Sequence, residues 1–139
     1  MPEQEKDRMN REMAEALSAL GLSEAMAWEA GFLCERGHWV DHEFAPGECA
    51  YSAFNDDWGK CRATTQPTPR PRDFTDPGVL ITAADEWKKK QRLPIIKVEW
   101  VENRQEWVAL YRGDKGSCWA HKPERMAAEH GAFHRILTA

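Results

Sequence analysis

Met9, Met13 and Leu17 recur every fourth residue, Leu20 follows three later, and Glu, Lys, Arg and Gln fill the positions between. That spacing predicts one amphipathic helix over residues 2–20, with Gly21 as its stop. A second apolar run, Ser23 to Phe32, predicts another helix with Ser23 as its N-cap and Gly31 near its end. From Leu33 to Arg72 the periodicity is lost. This stretch holds three of the chain's 4 Cys, the aromatics Trp39, Phe54 and Trp58, and several turn signals. Pro67, Pro69 and Pro71 close it as a stiff, extended spacer, because each ring fixes its own φ and pushes the preceding residue out of the α region.

The rest of the chain is regular. Asp76-Pro77 supplies an N-cap and a first-turn proline, and Val79, Ala83 and Trp87 mark a helix to about Gln91. Lys88, Lys89, Lys90 and Arg92 stand at its C-terminus, where cations favour the helix dipole. Pro94 opens a strand over 95–101, with Ile96, Val98 and Trp100 on one face and Lys97 and Glu99 on the other. The polar turn Glu102 to Gln105 leads to a strand over 106–111. Gly113-Asp114-Lys115-Gly116 turns the chain into a third strand, 117–121, so the three form an antiparallel meander. A last helix starts at Pro123, with Met126, His130, Phe133 and Leu137 along one stripe.

The fold class expected is therefore α+β: a three-stranded or larger antiparallel sheet layered with helices, an N-terminal helix, and a loop-rich, cysteine-bearing insert. A length of 139 residues fits a single domain, with sub-regions 1–32 (helical), 33–72 (irregular, with Cys and His) and 73–139 (helix, three strands, helix). Area scaling lets such a chain bury about two-thirds of its surface, enough for a core without obligatory staples.

Composition narrows the function classes. Charged residues are 30% and the net charge is −4, with a pI near 5.7. This argues against direct binding to nucleic acid or to an anionic membrane as the main activity. No apolar stretch approaches the ~20 residues that span a bilayer. MPEQEKDRMNRE contains no apolar segment of the kind a secretory signal needs, so the expected location is the cytoplasm.

The run Asp73-Phe74-Thr75-Asp76, followed by Ala83-Ala84-Asp85-Glu86-Trp87, resembles the opening of the phage ABA-sandwich domain. The strand with Trp100, the next strand starting Trp107-Val108-Ala109, and the closing Pro123-Glu124-Arg125-Met126-Ala127-Ala128 are also similar to that family. So is the N-terminal Met9-Asn10-Arg11-Glu12-Met13-Ala14. The resemblance covers residues 73–139 plus the first helix. It implies a small bacteriophage accessory protein with an α/β/α layered fold, acting in the host cytoplasm. It carries over no catalytic residues.

Cys34, His38, His42, Cys49 and Cys61 fall close together in the irregular stretch. Zn²⁺ takes about four N or S ligands in a tetrahedron and can order a loop that has no core of its own. Cys34, His38, Cys49 and Cys61 form the candidate set, although the tight C-x2-C spacing is missing. Reduced thiols with surface histidines are the competing reading, and a disulfide is a third. A Cys-His nucleophile is the enzymatic alternative, through Cys34 and His38 or Cys118 and His121. Positions 118 and 121 point to opposite faces of a strand, which places that pair poorly. His130 and His134 read as one histidine at the core edge and one solvated.

The 7 Trp divide by context. Trp87, Trp100, Trp107 and Trp119 belong to the regular scaffold, where core packing is expected for at least two of the three strand tryptophans. Trp28, Trp39 and Trp58 lie in or beside the irregular stretch. With Lys88, Lys89, Lys90 and Arg92 they are the candidate partner-binding residues. The expected function is a phage-encoded, non-catalytic protein that binds and inhibits a host protein or complex, anti-CRISPR inhibition being one form. The alternatives are a sponge for a nucleotide signal, with its pocket between sheet and helices, and a small zinc-stabilised protein of nucleic-acid-handling machinery.

Overall fold

A computed structural model of the chain describes residues 2–34, 39, 40 and 63–139. In chain order the elements are α1 (Glu3–Ala19), α2 (Glu24–Ala27), β1 (Trp28–Glu29), β2 (Phe32–Cys34), β3 (Trp39–Val40), β4 (Ala63–Pro67) and β5 (Arg70–Pro71). Then come α3 (Pro77–Lys89), β6 (Ile95–Val101), a 3₁₀ turn (Glu102–Arg104), β7 (Glu106–Gly113), β8 (Gly116–Lys122) and α4 (Arg125–Leu137). They form two compact units, one of Met1–Ala27 with Pro71–Ala139 and one of Trp28–Arg70.

In the smaller unit β2 is flanked by β3 and β4, both antiparallel, and β1 pairs with β5. The helix expected over 23–32 is thus only Glu24–Ala27, after which the chain turns extended. An isolated helix of that length with Gly31 inside it gains little, and the cross-strand hydrogen bonds of β1 and β2 win. The stretch expected to be irregular from residue 33 also contains strands, at Trp39–Val40, Ala63–Pro67 and Arg70–Pro71.

The larger unit follows its sequence pattern closely. α1 buries Asn10, Met13, Ala14 and Leu17 and ends before Gly21, whose φ of 85° is open to glycine at little cost. Asp76 caps α3 by accepting hydrogen bonds from the Gly78 and Val79 amides. Leu80, Ala83, Ala84 and Trp87 form the buried stripe of α3. The sheet has the order β6-β7-β8 with both pairings antiparallel. Its register sets Val98 beside Ala109 and Ala109 beside Ala120, and likewise joins Ile96, Tyr111 and Cys118.

That row structure fixes the two faces. Ala109, Tyr111 and Ala120 are buried. Tyr111 stacks on Phe133 of α4 at 5.0 Å between ring centroids and meets Trp87 of α3 at 5.8 Å, so both helices lie on this face. α4 packs on β7 and β8, and α1 packs on α4. On the opposite face Ile95, Lys97, Glu99, Arg112, Trp119 and His121 are exposed. Among the described residues of this unit the helices therefore gather on one side of the sheet.

Phe74, Phe133, Met13, Leu17 and Leu80 are the largest apolar side chains that are completely buried, each worth about 1.5–3 kcal/mol of burial. His130 is buried among them at 1% exposure. It is neither at the core edge nor solvated: its Nε2 lies 3.0 Å from Asn10 Oδ1. The Phe74 amide donates to the same Asn10 oxygen, and Asn10 Nδ2 donates to Asp73 Oδ1. His134 is half-buried, with Nε2 3.2 Å from Glu12 Oε1. A latch of polar contacts of 3.0–3.4 Å thus ties α1, the turn before α3, and α4 together.

Candidate functional site

The open face of the sheet is built in rows by the strand register. Leu110 stands between Lys97 and Trp119, and Val108 between Glu99 and His121. Val108 is buried and Leu110 half-buried, while Trp119 is 46% exposed. Arg112 and Ile95 adjoin Leu110's row at one end. At the other, His121 Nδ1 sits 3.3 Å from Glu106 Oε1, and Arg104 lies 3.9 Å from the same oxygen. The result is an apolar strip with an aromatic at its margin, basic groups at one end and mainly acidic groups at the other. A large amphipathic ring beside aliphatic side chains, rimmed by charge, is the composition of a protein-docking patch.

Trp100 lies on the helix-bearing face, yet it is 40% exposed. Its ring meets Trp107 edge-on at 5.6 Å between centroids, its Nε1 donates to Glu102 Oε2 at 2.6 Å, and Arg125 sits over Trp107 at 5.4 Å. The expectation that at least two of the strand tryptophans are core residues is corrected: Trp107 is half-buried and the other two are exposed. Register put Trp119 on the helix-free face, and α4, lying on β7 and β8, leaves the edge strand with Trp100 uncovered. Of the scaffold tryptophans only Trp87 is core.

The other candidates lie apart. Trp28 and Trp39 are half-buried in the smaller unit. Trp39 donates from Nε1 to the Thr68 carbonyl at 2.7 Å, and the Arg70 guanidinium lies 3.7 Å from its ring centroid while bonded to Glu29. One face of that ring is therefore already taken within its own unit. Trp58 lies outside the described residues. Lys88, Lys89, Lys90 and Arg92 are exposed at the end of α3, with Lys89 paired to Glu86 at 2.8 Å.

Beside Lys90 is a cavity of about 350 Å³, walled by Leu20, Trp87, Ile136 and Leu137, with Lys115 and Gln91 at its rim. α1, α3 and α4 all end there, so the negative ends of three helix dipoles face this region and complement the lysines. Lys115 Nζ also donates to the Ala139 carbonyl.

Of the zinc candidates, His38, Cys49 and Cys61, as well as His42, lie outside the described residues, and only the backbone of Cys34 is described. Among the described residues no group of three or more His, Cys, Asp or Glu gathers as a metal site. Cys118 is a half-buried free thiol on the helix-bearing face, and His121 projects from the other, so the strand separates that pair.

The charge balance around the buried groups is structural. Burial would raise the Asp73 carboxyl, but hydrogen bonds from the Thr75 side chain and amide and from Lys6 outweigh it and hold the group below its ordinary range. His130 is pushed down to about 4, chiefly by burial and secondly by the nearby His134. Burial raises Tyr111, with Glu129 and Asp85 adding to the shift, and burial also raises Glu129.

Sequence patterning had no means of marking the Trp119 patch. Alternation alone gives two faces, and only the packing of α3 and α4 decides which one is covered. No helix among the described residues is long and apolar enough to cross a membrane. No family model matches this chain, no curated protein matches it, and no solved structure does.

Proposed function

We propose that the chain is a non-catalytic binding protein whose open sheet face docks on a partner protein. The observation that carries this reading is Trp119, a large aromatic held almost half exposed beside Leu110, with Lys97 and Arg112 at one end of the strip and Glu99 and Glu106 at the other. Exposing such a ring has no packing benefit, whereas burying it against a partner stabilises the complex. The mixed rim and the net charge of −4 suit a protein partner better than a phosphate backbone. With the resemblance to phage ABA-sandwich proteins, the partner is a host macromolecule in the cytoplasm, and inhibition of a defence complex, as by an anti-CRISPR protein, is one concrete form. Zinc held by Cys34, His38, Cys49 and Cys61 belongs to the same proposal as a means of ordering the smaller unit, and metal analysis of the purified chain tests it.

The test is a parallel capture from host lysate with wild type and Trp119→Ala. A stoichiometric partner retained by wild type and lost by the variant supports the reading. Recovery of no stoichiometric partner, or equal recovery by both, overturns it. The pocket beside Trp87 is the weaker alternative for an anionic nucleotide, because three helix C-termini oppose a phosphate there. A thermal shift with a nucleotide panel separates the two.

A further inference from the structure

We propose that β6 is a self-pairing edge, through which two copies of this chain join their sheets about a twofold axis at Val98. β6 lies at the margin of the β6-β7-β8 sheet, so one row of its backbone N–H and C=O groups points away from β7. The opposite margin differs, because Arg135 donates from Nη1 to the Trp119 carbonyl of β8. Among the described residues β6 carries no such cap.

The side chains of β6 complement one another when the strand is turned against itself. Antiparallel pairing centred on Val98 sets residue i opposite residue 196 − i, an arithmetic consequence of choosing position 98 as the centre. Lys97 then faces Glu99 of the second copy, and Glu99 faces its Lys97, giving two opposite-charge pairs on the open face. Ile95 faces Val101 beside them. On the other face Val98 meets its own twin, and Ile96 meets Trp100. All of these pairings are favourable, and none sets like charge against like.

The exposure pattern of β6 points the same way. α4 packs on β7 and β8, leaving Ile96 and Val98 half-buried and Trp100 exposed on the face that is otherwise the core side. A second copy covers that apolar row, and a twofold contact of this kind closes without building a fibre. The paired sheets form one six-stranded surface. Trp119, two strands away from the axis on each side, stays free. The inference does not depend on the partner proposed above, and Trp119→Ala dimerises as wild type does.

Sedimentation or light scattering reads the result directly. Wild type is expected to show a concentration-dependent species of twice 16.0 kDa. Lys97→Glu and Glu99→Lys each set like charges opposite one another at both pairs, and each weakens the dimer by about tenfold. Mixed together, these two variants complement each other and recover the dimer. Should either single variant fail to fold, the double exchange Lys97→Glu with Glu99→Lys keeps the composition. It pairs with itself and refuses the wild-type chain. Wild type that stays monomeric at about 100 μM overturns the proposal. So do single variants that dimerise as wild type does, or an exchanged variant that mixes freely with it.

Discussion

Asn10 and His130 stand 120 positions apart in the chain and 3.0 Å apart in the fold. The Asn10 carbonyl oxygen also accepts the Phe74 amide, so it acts as the acceptor for both, and the imidazole must carry its proton on Nε2. Nδ1 is then left buried with no hydrogen-bond partner among the described residues. Asn10 sits in the run Met9–Ala14 and Phe74 in the run Asp73–Asp76. The latch gives those runs a physical role, since they fasten α1 to the turn before α3 and to α4.

The first prediction concerns acid. In the folded chain His130 titrates at about 4, against about 6.5 when unfolded, because burial disfavours its charged form and His134 and Lys6 repel it more than Asp73 attracts it. Between those values the unfolded chain holds a proton that the native chain lacks, so stability is full above the unfolded value and falls as pH falls. The loss between pH 7 and pH 5 is about 2 kcal/mol from this group alone. Denaturant unfolding at the two pH values measures it. His130→Leu is expected to remove most of the difference, and an unchanged slope in that variant refutes the assignment.

Removing the other partner gives a separate outcome. Asn10→Ala leaves the Phe74 amide and His130 Nε2 without an acceptor in a dry site, at a cost of about 2–4 kcal/mol. Serine in place of Glu15, exposed on the same helix, costs well under about 1 kcal/mol. Chemical denaturation of both variants decides it, and equal stability would mean that water reaches the site.

The legibility of this fold follows from the range of its interactions. The β6 strand, its turn into β7 and the Asp76 cap of α3 are local, and alternation, turn residues and an N-cap dipeptide report them directly. What escaped was set at long range. The extended chain after Ala27 depends on strands far along the sequence, and the burial of His130 depends on Asn10. The exposure of Trp119 depends on which face α3 and α4 cover. No window of neighbouring residues contains that information, which is why the exposed Trp119 strip emerged only from the packed sheet.

Two tryptophans test that distinction. Trp87 is 2% exposed and touches both Tyr111 and Phe133, so Trp87→Ala opens a large cavity and costs about 3–5 kcal/mol. Trp119→Ala removes a ring from the open face and changes stability by less than about 1 kcal/mol. Thermal unfolding of the pair separates core from surface. A severe loss in Trp119→Ala would place its ring in the core and remove it as a docking residue.

The β7–β8 turn supplies the last prediction. A Cβ built on Gly113 would lie 2.7 Å from Trp87 Cζ2 and 2.6 Å from Gln91 Oε1. The Gln91 end could swing aside in isolation, but its oxygen accepts the Asp114 amide at 2.9 Å, and Asp114 in turn accepts the Arg92 amide at 3.0 Å. Trp87 is held by its ring contacts with Tyr111 and Phe133. Gly113→Ala therefore forces the hairpin away from α3 or displaces the tryptophan, a clash expected to cost about 1–3 kcal/mol. The midpoint of thermal unfolding should drop by about 3–10 °C for a domain of this size. Adding Gln91→Ala relieves one contact and leaves the Trp87 collision, so it restores only part of the loss. A wild-type midpoint for Gly113→Ala would show that the hairpin does not rest on the Trp87 ring.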